Sequence, residues 1–105
     1  MEAEKILVTI DYIVKTYRER ALPLLEKGGE DNLQEAAGHL DCIARGIKES
    51  KLGIRISWMY VELIRLQNFC QTFRVDSPID HFQGIVEPII DRLKELSQGL
   101  RQDPN

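Results

Sequence analysis

Cysteine is scarce in this 105-residue chain, and its two thiols, Cys42 and Cys70, stand far apart with no Cys-x-x-Cys pair. That spacing excludes a disulfide framework and a zinc ribbon. Both thiols are expected to be small buried apolar residues in a reducing compartment. Long apolar runs are missing too: nothing approaches the ~18 residues that a membrane span requires. The opening, Met1-Glu2-Ala3-Glu4, is acidic, whereas a secretory signal starts basic and then turns apolar, so the expected location is cytoplasmic. Aromatic residues make up only 7%, and four prolines and seven glycines are too few for a collagen-like or low-complexity chain. There is no basic block. Lysine and arginine number 14 against 17 acidic residues, a net charge of −3, and the two signs are interspersed. The closest approach to a cluster, Lys15, Arg18 and Arg20 around Glu19, reads as a solvated helix face, so no nucleic-acid partner is expected. Length removes doubly wound sheets and barrel enzymes. A single domain over residues 1–105 remains, with a polar, frayed tail from Arg101.

What is present is helical periodicity in four segments. The first runs from about Glu4 to Glu26 with apolar positions Ile6, Ile10, Ile13, Val14, Tyr17, Ala21 and Leu24. Pro23 is expected to loosen its last turn and Gly28-Gly29 to stop it. The second runs from about Asn32 to Ser50, with Asp31 as N-cap and Gln34 completing a capping box. Its stripe is Leu33, Ala36, Ala37, Leu40, Ile43, Ala44 and Ile47. Gly53 is placed in the turn that follows. The third runs from about Ile54 to Phe73 on Ile56, Met59, Leu63, Leu66, Cys70 and Phe73, with Trp58, Tyr60, Ile64 and Phe69 beside that stripe and Val61 facing away. Its apolar arc covers more than half the circumference, so the helix is either central or keeps a second face for a partner. The fourth opens at Ser77-Pro78, as N-cap and first helical residue, and carries Phe82, Ile85, Val86, Ile89, Leu93, Leu96 and Leu100 past Pro88. No segment alternates with period two. Rods of ~30 Å joined by short loops predict an all-α antiparallel four-helix bundle.

Catalytic chemistry finds little to stand on. Glu35 and His39 share a helix face, but no Glu-x-x-His exists and two histidines with separated cysteines make no metal site, so neither metal nor other cofactor is expected. A phosphotransfer histidine would be followed at its third and fourth positions by Lys and Gly, where Cys42 and Ile43 follow His39. The serines lack a Gly-x-Ser-x-Gly setting, and there is no glycine-rich phosphate loop. The stretch Arg74-Val-Asp-Ser-Pro-Ile-Asp-His81 resembles the Arg-x4–6-His signature of HEPN-type ribonucleases, which would use Arg74 on phosphate and His81 for proton transfer.

The helix order carries a broader resemblance. Ile6-Leu7-Val8-Thr9-Ile10-Asp11-Tyr12 opens a long helix that reaches a Lys27-Gly28-Gly29-Glu30-Asp31 turn. A second helix with Leu33, Ala36-Ala37, His39-Leu40, Ile43 and Ile47 follows, then Trp58-Met59-Tyr60-Val61-Glu62-Leu63-Ile64, and a last helix ending Ile89-Ile90-Asp91-Arg92-Leu93-Lys94-Glu95-Leu96. Over nearly the whole chain this is similar to the flagellin export chaperone family, FliS type, with Asp11 and Tyr60 at the positions that match most directly. The resemblance implies a non-enzymatic chaperone that holds the disordered end of an export client, flagellin-like or other, as short helices in apolar grooves. The wide arc of the third helix nominates Trp58, Tyr60, Val61 and Ile64 as client contacts, flanked by Arg65 and Asn68. Two alternatives stand beside it: a HEPN-like nuclease or toxin component, and a helical adaptor or homodimer with the third helix as its seam.

Overall fold

The computed structural model describes residues 2–102, and every regular element in that span is helical. The first expected helix is present but not uniform. It comprises α1 (Glu2–Lys15), a π-helical segment (Thr16–Ala21) and α2 (Leu22–Lys27) in direct succession. The N–H of Leu22 donates to the carbonyl of Tyr17, five residues back. Pro23 explains the wide turn: in an α-helix its ring would crowd the carbonyl of Glu19, and it has no N–H to give it. The widened turn absorbs one additional residue, so the buried face moves on by one position. Leu25 is buried and Leu24 only half so, where regular periodicity predicts the reverse.

Gly28 and Gly29, with φ of 70° and 89°, end this rod as expected. The next helix, α3 (Glu30–Ser50), starts two residues early, with Gly29 at its N-cap and no side-chain cap bond. Asp31 is therefore not the cap, and the capping box with Gln34 does not form. Glu30 and Asp31 instead sit in the first turn, where the helix dipole favours acid. Asn32 Nδ2 donates to the carbonyl of Gly28 at 2.8 Å and ties the turn to the helix. The expected stripe is buried, with Ala37 half so. Cys42 is exposed, contrary to expectation, because it lies about 200° round the helix from Leu40, on the face opposite that stripe; Cys70 is buried.

The third expected helix is broken at its start. Lys51 takes a left-handed conformation (φ 55°), α4 (Leu52–Arg55) makes one turn, a 3₁₀ turn spans Ser57–Met59, and α5 runs Tyr60–Thr72. Gly53 thus lies inside α4, not in a loop. The fold-back at Ile56 has a clear consequence. In one straight helix residues 53 and 60 would stand ~10 Å apart along the axis. Here the ring of Tyr60 lies against Gly53, so that a Cβ at that glycine would come within 3.1 Å of Tyr60 Cδ1. The stripe from Ile56 to Phe73 is buried as expected.

The last helix, α6 (Ile79–Gln102), runs through Pro88. Its first bond is Phe82 N–H to the carbonyl of Pro78, one residue later than the Ser-Pro signal implies. Ser77 Oγ instead accepts the N–H of Arg74 at 2.9 Å. Phe82, Val86, Ile89 and Leu93 are buried; Ile85, Leu96 and Leu100 are half-buried, and Ile90 and Ser97 join the core unexpectedly. Beyond Gln102 the polar tail lies outside the described residues.

One apolar cluster joins all the long helices. α1 packs on α6 and α3, the π-helical segment and α2 pack on α3, and α5 packs on both α3 and α6. The molecule measures 46 × 21 × 20 Å. Polar links cross these interfaces. Tyr17 Oη donates to Glu87 Oε2 at 2.8 Å, Ser97 Oγ to Asp11 Oδ1 at 2.7 Å, and Arg18, Arg101 and Arg92 pair with Asp91, Asp11 and Glu62.

Candidate functional site

The sequence-nominated residues gather at the start of α5. Trp58 belongs to the 3₁₀ turn and is 61% exposed; Tyr60 and Val61, in the first turn of α5, are 51% and 65% exposed. Ile64 is half-buried, while Arg65 and Asn68 are exposed. Their helical angles divide them. Tyr60, Ile64 and Gln67 form one i, i+4, i+7 strip that borders α3; Val61, Arg65 and Asn68 form the next strip, pointing away from the core. Two apolar side chains in the first turn of α5 are therefore in water, together with Trp58 just before it.

Ile54 is the residue that sequence reading missed. It is 70% exposed on α4. Its spacing could have found it: Ile54 lies two residues, about 200° of helical turn, before Ile56 and so off the buried stripe. With Ile47, Tyr60 and Ile64 it lines a groove of about 190 Å³ between the end of α3 and α5, rimmed by Lys48 and Lys51. A second groove of about 260 Å³ adjoins it, sharing Lys48 and reaching Asp41, Arg45 and Gln71. Asp41 and Arg45 pair with each other at 2.9 Å. On α1, Val8 and Tyr12 are also exposed, and Tyr12 leans on Gly46, where a Cβ would come within 3.4 Å of its ring.

A larger groove, about 530 Å³, lies between α1 and α6 and does not include the nominated residues. Asp11, Lys15, Arg18, Lys94 and Arg101 line it, so it carries both signs of charge, and Asp11 is already engaged by Ser97 and Arg101.

Of the pair nominated for nuclease chemistry, Arg74 follows α5 and His81 sits in the first turn of α6. Arg74 Nη1 donates to the carbonyls of Gln71 (3.3 Å) and Phe73 (2.9 Å), at the end of α5. His81 faces Phe69, with ring centroids 6.1 Å apart, and lines a small pocket of about 110 Å³ to which Arg74 does not contribute. Among the described residues, no three His, Cys, Asp or Glu side chains are grouped to hold a metal ion, and no helix is long and apolar enough to cross a membrane. His39 is half-buried on α3. Two groups have strongly shifted titration. Burial pushes the Cys70 thiol up to about 12, and burial, followed by the adjoining Glu87 carboxylate, pushes the Tyr17 hydroxyl above its ordinary range. Both act to keep these side chains neutral inside the core.

No family model matches the chain, and no curated protein or solved structure matches it.

Proposed function

We propose that the protein is a non-enzymatic binding protein: an antiparallel four-helix bundle that receives a helical segment of an otherwise disordered protein client, as a flagellin export chaperone does. One observation carries this reading. Ile54, Trp58, Tyr60 and Val61 are all more than half exposed within eight consecutive residues, in a chain whose other large apolar side chains are mostly in the core. An exposed apolar concentration of this kind marks an interaction surface. The polar chemistry supports binding over catalysis. Arg74 is bonded to helix-end carbonyls, and Arg18, Arg55, Arg92 and Arg101 are each paired with a carboxylate. The bundle topology is supported by short connections at Gly28-Gly29 and residues 73–78, which favour antiparallel neighbours.

The test is a titration of a labelled flagellin C-terminal segment into the protein, read by fluorescence anisotropy. Binding should be measurable, and Trp58→Ala should weaken it at least about tenfold, as loss of an aromatic anchor does. The unfolding midpoint should move little. A sharp fall in the midpoint with unchanged binding per folded molecule would assign Trp58 to the fold instead. A dimer in sedimentation that Val61→Asp dissociates would assign the face to self-association.

A further inference from the structure

We infer that the helix received in the groove between α3 and α5 is acidic along one flank, and that Lys48 and Lys51 select it. The inference rests on the binding reading above and names the chemistry of the partner. Its basis is the sign of the groove. The floor is apolar, made by Ile47, Ile54, Tyr60 and Ile64, and the charged rim is made by the two lysines alone. No carboxylate lines this groove. Neither lysine has an ion-pair partner among the described residues.

The acids nearby are directed elsewhere. Glu49 follows Lys48 by one residue, about 100° round the helix and away from α5. Asp41 pairs with Arg45, Glu62 with Arg92 on α6, and Glu2 with Arg55 at 2.6 Å. A chain of net charge −3 therefore presents, at its exposed apolar groove, only positive charge. On α5 the facing polar residues are Gln67 and Gln71, which are neutral and can hydrogen-bond either sign.

The dimensions set the length of the occupant. From Tyr60 to Gln71 the two adjoining grooves run along about 16 Å of helix, close to three turns; the second also carries Asp41, which is paired with Arg45 and adds no net charge. An amphipathic helix of that length would lay residues at i, i+3 or i+4, and i+7 on the apolar floor. Glutamate or aspartate on its flank toward α3 would then meet Lys48 and Lys51. Charges at such a rim contribute selectivity and association rate more than total affinity. Two partly exposed pairs support a preference of about three- to tenfold over a neutral flank, diminishing as salt screens them.

The test uses three synthetic labelled helical peptides with the same apolar face and a flank of Glu, Gln or Lys. Each is titrated into the full chain at low and at raised salt. The expected order is Glu, then Gln, then Lys, with the spread shrinking as salt rises. The Lys48→Glu/Lys51→Glu variant, checked for helicity by circular dichroism, should reverse the order; Lys48→Gln/Lys51→Gln should erase it. Equal binding of all three peptides to the wild type, or an order unmoved in both variants, overturns the charge inference and leaves helix binding standing. Absence of binding by all three overturns both.

Discussion

Tyr17→Phe isolates one polar link in the core. Tyr17 is fully buried in the π-helical segment, and its hydroxyl donates to Glu87 Oε2 across the α6 interface at 2.8 Å. Burial and the adjoining carboxylate hold the phenol neutral, so it remains a donor throughout the usual working range. A hydrogen bond to a charged acceptor contributes about 1.5–3 kcal/mol. Glu87 is only half-buried, so water can partly replace the lost donor, and the cost should fall near the low end, about 1.5–2 kcal/mol. For a domain of this size that is a fall in Tm of roughly 6–16 °C. The assay is urea unfolding followed by far-UV circular dichroism on Tyr17→Phe, Glu87→Gln and the double variant. The two sites share one bond, so the single costs should fail to add, with a coupling of about 1 kcal/mol. Additive effects, or a Tyr17→Phe variant within about 0.3 kcal/mol of the parent, would refute the claim that this bond holds the π-helical segment against α6.

Two further outcomes follow from burial. Leu63→Ala should cost about 2–5 kcal/mol by opening a cavity in the core, whereas Val61→Ala, two residues earlier and largely in water, should change stability by less than about 0.5 kcal/mol in the same unfolding assay. Cys42 should react at once with a thiol reagent and Cys70 only on unfolding, as followed by mass spectrometry. The Cys70 thiol is raised to about 12 in the folded chain from an ordinary value of 9.0. Below about pH 9 both states hold the proton and nothing changes. Between about 9 and 12 only the unfolded thiol ionises, so stability falls by about 1.4 kcal/mol per pH unit, and Cys70→Ala should flatten that part of the alkaline slope.

The helical content and most of the core were legible because burial follows period 3.6 wherever the backbone is a regular α-helix. The stripes from Leu33 to Ile47 and from Ile56 to Phe73 illustrate this. Periodicity fails where the backbone departs from that repeat. Pro23 signals a loosened turn, but which way the next residues rotate depends on whether the chain adds a residue to the turn or breaks; it adds one, and Leu25 replaces Leu24 in the core. Asp31 and Gln34 satisfy a cap pattern, yet two consecutive glycines with positive φ start the helix earlier and leave that cap no free N–H to serve. The paired acids and bases were illegible for another reason. Asp11, Arg18, Asp91 and Arg101 look solvated on their own helices and meet only when α1 and the π-helical segment lie against α6.

The third segment joins these threads. On a single straight helix its surplus of apolar residues has two readings, a central position or a second face. The break at Ile56 separates them: Leu52, Ile56, Met59 and Leu63 enter the core, while Ile54, Trp58 and Val61 remain outside. Had the helix run straight from Ile54, residues 54, 58 and 61 would have formed one continuous outer edge, on the side turned away from the core stripe. The fold-back divides that edge between α4, the 3₁₀ turn and α5, around the contact of Tyr60 with Gly53. A Gly53→Ala substitution therefore bears on both fold and site. The new methyl would crowd the ring at 3.1 Å, and the half-exposed ring can relieve the contact by swinging toward solvent over the groove. The expected result is a small loss of stability, about 1 kcal/mol, with a larger proportional loss of helix binding. Unchanged binding in that variant would place the occupied surface away from Tyr60, on the outward strip of Val61, Arg65 and Asn68.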